Sequence, residues 1–298
     1  EISECLVGSE MCIRDRDNIP GGLKYRLLFC RHKKDTADRE NRERKTEMTA
    51  SRKKVLKRII VFTLTALLVI IGGRCIYVQA VIHNAYDVKP ISKEQIKRAD
   101  VNNANKLMIV AHPDDEVLWG GGHLMEGGYM VVCVTNGKNE VRSKEFYRVM
   151  KESGNEGIIL DYPDKVRGKR DDWSRVRSSI ISDLEKVMKY KKWELIVTHN
   201  KNGEYGHAHH QMLHGFVTQI YNDDEIDTQL YCFGKYFKRS KLKDAKNTLT
   251  PMTAQQISFK EKLEKLYVSQ SGTVEHLSHM NSYEMWEKYM PPVLTVES

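Results

Sequence analysis

Short apolar runs alternate with segments of helical periodicity after residue 105, and this alternation limits the possible folds more than any other feature. Five such runs predict strands buried on both faces: residues 107–111, 129–135, 157–160, 195–198 and 229–233. Four amphipathic segments predict helices: residues 144–153, 176–190, 210–221 and 256–268. The β-α-β order predicts an α/β fold, with a Rossmann-like, mostly parallel sheet and helices on both faces.

Imidazole and carboxylate side chains follow two of the predicted strands. The first strand is followed by His112, Asp114, Asp115 and Glu116, and the fourth leads through a short loop into the segment GEYGHAHH at 203–210. Such groups are costly to bury unless a cation or a proton transfer uses them. Because sites in open parallel sheets form at the carboxyl ends of the strands, we expect the two clusters to converge.

The donor types in these clusters indicate a catalytic divalent metal. His207 and His210 are three residues apart and share one face at a helix start. Imidazole and carboxylate ligands suit Zn²⁺ or a similar ion, and a site with three protein ligands keeps a position open for water. A structural zinc site needs four closed ligands, and the sequence has no CxxC pair to supply them.

An uncharged segment near the N-terminus predicts a membrane anchor. Residues 59–73 carry no charge and directly follow a basic flank, and extension to Ala80 gives 22 residues. As a helix, this segment covers about 33 Å, enough for the roughly 30 Å hydrocarbon core, with Arg74 snorkelling to an interface. The basic flank predicts that the chain after residue 80 is extracytoplasmic. The alternative is a signal peptide cleaved after Ala80, which would make the protein secreted.

These features divide the chain into four segments. Residues 1–16 resemble translated sequencing-adapter read-through, so we expect residues 1–47 to be an artefactual or disordered leader, with Met48 as a plausible start. Residues 48–83 form the basic flank and the transmembrane signal anchor. We expect residues 84–104 to form a linker with one short helix, and residues 105–298 to form the catalytic domain.

The distribution of charge excludes a nucleic-acid-binding domain. The chain has a net charge of +8, but residues 1–58 hold 16 Lys and Arg against 10 Asp and Glu, and the rest holds 32 against 30. The basic excess is therefore N-terminal. Six cysteines in 298 residues exclude a disulfide-built scaffold, and the mean hydropathy of −0.55 excludes a polytopic membrane protein.

The segments AHPDDE at 111–116 and GEYGHAHH at 203–210 together resemble the PIG-L/LmbE-like family of metal-dependent N-acetylglucosaminyl deacetylases. The resemblance covers roughly residues 105–215. It implies that His112, Asp115 and His210 hold the metal, which would be Zn²⁺ or another divalent ion such as Fe²⁺. It also implies that Asp114, beside the ligands, is the general base.

The resemblance assigns further roles to residues around the metal. His207 would stabilise or protonate the collapsing intermediate, Tyr205 would support the oxyanion, and Arg142, in an RxxE element, would contact the substrate. The chain departs from some relatives at His209, where they carry Asp or Asn. A carboxylate there would orient a neighbouring imidazole more strongly than a neutral histidine does.

The implied function is zinc-dependent hydrolysis of an N-acetyl amide on a GlcNAc-type sugar or glycoconjugate. A metal-activated water would attack the amide, Asp114 would take its proton, and acetate would leave. The extracytoplasmic topology favours a GlcNAc-containing glycoconjugate or cell-envelope polymer as partner. Two alternatives stay open: the same metal site acting on a non-sugar or thiol-conjugate amide, and a non-catalytic, membrane-anchored carbohydrate-binding protein.

Overall fold

The structure is a computed structural model that describes the backbone of residues 21–291 and the side chains from residue 34 onward. The expectations for residues 1–20, including the resemblance to adapter read-through, lie outside the described residues. The chain divides into two compact units, Glu1–Ile76 and Tyr77–Ser298.

A single long helix, α1 (Gly21–Tyr86), carries the segment expected to cross the membrane. The part of the chain that the structure describes contains one helix long and apolar enough for this, and its apolar window is fully exposed. Residues 21–47 are helical, which differs from the disorder expected there. Their composition explains the difference, because Glu, Arg and Lys are strong helix formers and Arg39 pairs with Glu43 one turn away at 3.1 Å.

The second unit is built on a six-stranded sheet with the order β3-β2-β1-β6-β7-β8, and β4 and β5 form a separate hairpin. The strands are β1 (Lys106–Val110), β2 (Tyr129–Thr135), β3 (Glu156–Tyr162), β4 (Lys165–Val166), β5 (Lys169–Arg170), β6 (Leu195–Thr198), β7 (Gln229–Cys232) and β8 (Glu287–Lys288). Strands β1, β2, β3, β6 and β7 are parallel, and β8 runs antiparallel to β7. The five predicted strands and the mostly parallel sheet are confirmed. The two-residue strands β4, β5 and β8 are too short to produce a periodic signal in the sequence.

Helices follow most strands. They are α2 (Lys93–Ala99), α3 (Asp115–Gly120), α4 (Glu140–Ser153), α5 (Arg177–Met188), α6 (Gly203–Gly206), α7 (Ala208–Asp223), α8 (Arg239–Ala245), α9 (Ala254–Glu264) and α10 (Ser271–Leu277). The four predicted helices correspond to α4, α5, α7 and α9, and α2 is the short helix expected in the linker. Local chemistry sets the ends of α4: the Asn139 side chain caps its first turn, and Gly154 ends it with φ +68°.

Both faces of the sheet are covered, because alternate residues of the central strands enter two different cores. Leu107 and Ile109 of β1 pack on the side of α5 and α7, whereas Met108 and Val110 pack with residues of α3, α4 and α9. Strands buried on both sides explain the continuous apolar runs in the sequence. The α/β class with helices on both faces is therefore confirmed.

A buried ion pair joins the C-terminal segment to the end of α3. Lys260 Nζ lies 2.8 Å from Glu284 Oε1 and donates to the Leu118 carbonyl at 2.6 Å. Glu284 also accepts the Gly122 N–H at 3.0 Å and contacts His123 Nδ1 at 2.9 Å. Burial alone would raise the pKa of Glu284, but Lys260 and His123 outweigh it and lower the pKa to about 2. The pair thus fixes the helix that begins at Asp115.

Glu284→Gln removes one charge of this pair and leaves the Lys260 ammonium buried without its partner. We expect the free energy of unfolding at pH 7 to fall by about 3–5 kcal/mol, measured by urea denaturation of the full chain in detergent. The folded pKa of about 2 lies below the ordinary value of 4.5, so the stabilisation is complete above pH 4.5 and is lost as the pH falls toward 2. The difference in unfolding free energy between wild type and Glu284→Gln should therefore become smaller as the pH falls from 4.5 toward about 2.

The exposed Lys262→Met variant is the matched control and should change the unfolding free energy by less than about 1 kcal/mol. A Glu284→Gln variant as stable as wild type at pH 7, or a gap that does not change with pH, would contradict this account of the ion pair.

Candidate metal centre

The candidate site lies where the chain changes direction across the sheet. From β1 the chain continues to β2 on one side, and β6 pairs with the other side of β1, with Ile109 opposite Thr198. His112 follows the carboxyl end of β1, and His199 follows that of β6. Open α/β sheets bind ligands at this kind of switch point, because loops from neighbouring strands diverge there. The two clusters seen in the sequence therefore meet.

The turn between β1 and α3 holds its side chains through an unusual backbone conformation. Asp114 has φ +125°, which a residue with a side chain rarely adopts. The His112 N–H donates to Asp115 Oδ2 at 2.8 Å, and the Asp114 N–H donates to Glu116 Oε2 at 3.1 Å. Strain of this kind persists where the surroundings over-determine it, and it is common at functional sites.

The predicted ligands come together around Asp115. Its Oδ2 lies 3.1 Å from His112 Nδ1, and its Oδ1 lies 3.3 Å from His210 Nε2. Ligand atoms that lie within 4.8 Å of one another form three overlapping trios in the described chain: His112, His207 and His210; Asp115, His199 and His210; His112, Asp164 and His209. The predicted ligand set takes His112 and His210 from the first trio and Asp115 and His210 from the second.

Hydrogen bonds decide which of the imidazoles can serve as ligands. His199 Nε2 accepts the Ala111 N–H at 3.0 Å, so its lone pair is already used. His210 Nε2 and His207 Nδ1 are buried and have no hydrogen-bond partner among the described residues. These unpartnered nitrogens, of which His210 Nε2 lies 3.3 Å from Asp115 Oδ1, fit a bound divalent cation. His112, Asp115 and His210 remain the best ligand set, with His207 beside them.

The electrostatics of the site also favour positive charge. Burial opposes protonation of His210, but Asp115 and Glu204 outweigh it and raise the pKa of His210 to about 10. Burial would raise the pKa of Asp115, yet His210, His112 and His199 bring it well below its usual range. A cluster that stabilises a proton between two carboxylates in this way also suits a metal cation.

Glu204 holds two of the histidines in place. Its Oε2 accepts from Nδ1 of His210 at 2.5 Å and from Nδ1 of His199 at 3.0 Å, which leaves Nε2 of His210 free to face Asp115. Glu204 has φ +53°, and its other oxygen accepts the Asn200 N–H at 2.9 Å. Neither Glu204 nor His199 was singled out from the sequence. Two features of the sequence could have pointed to them: Glu204 is the carboxylate within GEYGHAHH, and His199 directly follows a strand that neighbours β1.

Asp114 lies beside the ligands and outside the set. Burial, followed by repulsion from Asp115, raises its pKa well above the ordinary value. Arg142 Nη2 lies 3.2 Å from Asp114 Oδ1 and also donates to the Pro113 carbonyl, so the arginine fixes the turn that carries the carboxylate. Arg142, predicted to contact substrate, thus contacts the predicted base and leaves its buried Nε without a partner among the described residues.

The buried carboxyl group of Glu116 stabilises the turn between β1 and α3. Glu116 accepts the hydroxyl hydrogen of Tyr267, and burial raises the pKa of Glu116 to about 7. Tyr267 follows α9, so this bond joins the motif turn to the C-terminal part of the domain. Glu145, the acidic member of the RxxE element, accepts the Ser269 N–H at 2.8 Å in the same region. No pattern in the sequence predicts the contact between Tyr267 and Glu116.

Tyr205 and His207 border the ligands on a more open side. The Tyr205 ring is 45% exposed, and its centre lies 5.9 Å from the His210 ring and 6.0 Å from the His207 ring. Burial, followed by the negative charge of Asp115, raises the pKa of Tyr205, so the phenol keeps its proton and can donate it in a hydrogen bond. The His207 ring lies 4.2 Å from that of His210.

His209, the residue that departs from the relatives, is paired with His112. Its Nε2 donates to the Asp171 carbonyl at 2.7 Å, so its Nδ1 accepts from His112 Nε2 at 3.0 Å and leaves Nδ1 of His112 directed at Asp115. The ring stacks on Trp173 with 4.1 Å between centres. A neutral imidazole therefore fixes the ring orientation of a predicted ligand.

A carboxylate approaches the same pair from the loop after β3. Asp164 Oδ1 lies 3.6 Å from His112 Nε2 and 3.8 Å from His209 Nδ1. Arg170 of β5 binds the same oxygen at 2.7 Å, and its Nη1 lies 3.2 Å from His112 Nε2. Asp164 thus brings a carboxylate close to the pair of His112 and His209, which sequence spacing did not reveal.

Comparison with known families agrees with this arrangement. Residues 107–221 match the model of the family PIG-L, described as GlcNAc-PI de-N-acetylase, and this range contains both clusters. Residues 107–221 are therefore similar to the PIG-L family. An uncharacterized protein of Acanthamoeba polyphaga mimivirus is 32% identical over 134 residues, which cover 39% of this chain. The chain spans 58% of that relative's length.

Solved structures with similar folds include two deacetylases. The N,N'-diacetylchitobiose deacetylase from Pyrococcus horikoshii is 15% identical, with a TM-score of 0.46, over 68% of this chain and 94% of that one. A deacetylase of the teicoplanin biosynthesis pathway is 13% identical, with a TM-score of 0.46, over 59% of this chain and 90% of that one.

His209→Ala removes the acceptor that orients His112. We expect the affinity of the full chain for Zn²⁺ to fall by about 10- to 100-fold, because loss of such an outer partner frees the ligand ring. His209→Asn supplies an amide oxygen as acceptor and should retain affinity within a few-fold of wild type. Zn²⁺ titration against a competing chelator measures the effect.

The matched control is the exposed His83→Ala, which should bind Zn²⁺ as wild type does. Wild-type affinity in a folded His209→Ala variant would show that His209 does not position His112.

Proposed function

We propose that this protein is a divalent-metal-dependent deacetylase that hydrolyses the N-acetyl amide of a GlcNAc-type sugar, with zinc as the expected ion. The observation that carries the proposal is the convergence of His112, Asp115 and His210, with the buried carboxyl group of Asp114, which is not one of the predicted ligands, beside them. The match to the PIG-L family supports the same reaction class.

The residues of the site divide the chemistry between them. A bound divalent ion would polarise the acetamide carbonyl and lower the pKa of water toward about 7. Asp114, held by Arg142, takes the proton from the attacking water. The Tyr205 hydroxyl and a His207 N–H donate to the oxygen that gains negative charge. Asp114 or His207 then delivers a proton to the departing amine, and the products are acetate and a free amino sugar.

The cysteine thiols of the domain are unsuited to a covalent route. Cys133 and Cys232 are both buried, and burial raises the pKa of Cys133 well above its usual value and that of Cys232 to about 12. A thiol in that state is a weak nucleophile at neutral pH. Direct attack by water fits the groups at the site better.

Asp114→Asn tests the assignment of the general base. We expect acetate release from N-acetylglucosamine glycosides to fall by about 10²- to 10⁴-fold, because the amide cannot accept the proton from water. Bound metal, measured by elemental analysis of the same preparation, should stay at the wild-type level because Asp114 is not a ligand. Asp223→Asn, which removes an exposed carboxylate at the end of α7, is the control. An Asp114→Asn variant with the wild-type rate would refute the role.

We further propose that the N-terminal helix anchors the protein and that the deacetylase domain is extracytoplasmic. The uncharged residues 59–73 and the basic flank before them support this orientation. The partners would then be GlcNAc-containing glycoconjugates or cell-envelope polymers.

Topology is tested with the full chain carrying a C-terminal epitope in intact bacterial cells. External protease should remove the epitope while a cytoplasmic marker survives. An epitope that is protected until the cells are lysed would contradict the proposed orientation.

A further inference from the structure

A polar cavity of about 620 Å³ adjoins the candidate metal centre on the side of Asp114. Two of its lining residues touch the centre directly: Arg142 contacts Asp114, and Asp164 lies 3.6 Å from His112 Nε2. The remaining walls come from the end of α1, the loops after β2 and β3, and Gln270. Asn84 and Ala85 of α1 lie outside residues 107–221, so this cavity is partly built by residues beyond the family match.

The polar cavity is rich in hydrogen-bonding groups, and its three Lys or Arg against two Asp give the lining a net charge of +1. Asn84, Asn136, Asn139 and Gln270 place four amide side chains along it. Of its charged residues, Arg142 is paired with Asp114, Asp164 with Arg170, and the Lys138 ammonium donates to the carbonyls of Asn84 and Asp87. The two that remain, Lys165 and Asp161, carry opposite charges. The four amides suit neutral hydroxyl and amide groups, whereas a phosphate is usually bound by several cations that are free to pair with it.

A second cavity, of about 420 Å³, adjoins the centre at Tyr205 and has a different character. Its lining combines two phenol rings with small and apolar groups: Tyr205, Tyr236, Gly272, Thr273, His276 and Leu277. The Tyr205 and Tyr236 rings are 6.0 Å apart at 70°. The lining contains no carboxylate and no Lys or Arg. Aromatic walls of this kind accept the C–H face of a sugar ring.

We propose that the two cavities are sugar-binding subsites on either side of the reactive position, and that the substrate is a neutral, linear oligosaccharide or polysaccharide of N-acetylhexosamine. The two cavities share no lining residue, and they reach the centre at different places, through Arg142 and Asp164 in one and through Tyr205 in the other. A chain that fills both cavities places an internal sugar, with neighbours on each side, at the metal centre. This inference rests on the proposed deacetylase function and specifies its substrate class.

Neighbouring sugars should improve catalysis as well as binding. Interactions with parts of the substrate that do not react can be used to orient the reacting bond, so truncated substrates lose turnover rate in addition to affinity. A net hydrogen bond of about 1 kcal/mol corresponds to about fivefold, so two or three such bonds in all, shared between the two subsites, predict a gain on the order of 10- to 100-fold.

The experiment measures acetate release by the full chain, loaded with Zn²⁺ in detergent, from β-1,4-linked N-acetylglucosamine oligomers of one to five sugars. We expect kcat/KM to rise by about 10- to 100-fold between one sugar and three, and to level off beyond. Mass spectrometry of the trisaccharide product should locate the free amine on the middle sugar.

Two variants link the length dependence to the cavities. Asn84→Ala with Lys165→Ala alters the polar cavity, and Tyr236→Ala alters the aromatic one. Each should lower kcat/KM for the trisaccharide by about tenfold while leaving that for the monosaccharide within twofold. Tyr236→Phe, which retains the ring, should behave like wild type. The surface substitution Lys151→Ala is the control for loss of a lysine.

A binding measurement keeps the test independent of turnover. Calorimetric titration of the same oligomers into wild-type chain stripped of metal by a chelator should show affinity that increases up to three sugars. Equal kcat/KM for one and three sugars would overturn the subsite proposal and leave the deacetylase function standing. A trisaccharide product deacetylated only at a chain end would do the same.

The other outcomes are also decisive. Acetate released from GlcNAc on a phosphorylated lipid, with none from oligomers, would overturn the neutral-glycan assignment. No acetate from any N-acetyl sugar would remove the proposed function and this inference with it.

Discussion

The Asp115 carboxylate is the group on which the organisation of the candidate site depends. One of its oxygens faces His112 and the other faces His210, so residues that are 98 positions apart in sequence converge on a single side chain. Burying this charge is costly, and its neighbours compensate through hydrogen bonds and positive charge. Each neighbouring imidazole has an outer partner: Glu204 holds His210, and His209 holds His112. The two predicted imidazole ligands are thus each oriented by a second side chain.

The rest of the domain stabilises this concentration of buried polar groups. Tyr267 bonds to Glu116 beneath the motif turn, and the Lys260–Glu284 pair holds the far end of α3. Both contacts come from the C-terminal part of the chain, after the family match ends at residue 221. Positive φ angles at Asp114 and Glu204 place two key carboxylates where regular helices would not. Such strain is maintained only when the surroundings determine the conformation, which the hydrogen bonds to both turns do.

Sequence alone predicted the strands of the parallel sheet, because residues buried on both faces form continuous apolar runs. It also predicted that the clusters after β1 and β6 meet, because carboxyl ends of adjacent parallel strands share one edge. Contacts that depend on side-chain direction or on long loops could not be foreseen. Asp164 and Arg170 sit on a two-strand hairpin with no periodicity, and Tyr267 reaches Glu116 across 151 residues. The helix over residues 21–47 was missed because charged residues predict disorder and exposed helix equally well.

The most direct test of the account is the metal content of the purified full chain after equilibration with Zn²⁺, with Asp115→Ala alongside. The convergence of His112 and His210 on Asp115 predicts one ion per wild-type chain and none retained by the variant. Circular dichroism establishes that both proteins are folded. A wild-type chain that binds no divalent ion, or an Asp115→Ala chain that binds it equally well, would contradict the central claim.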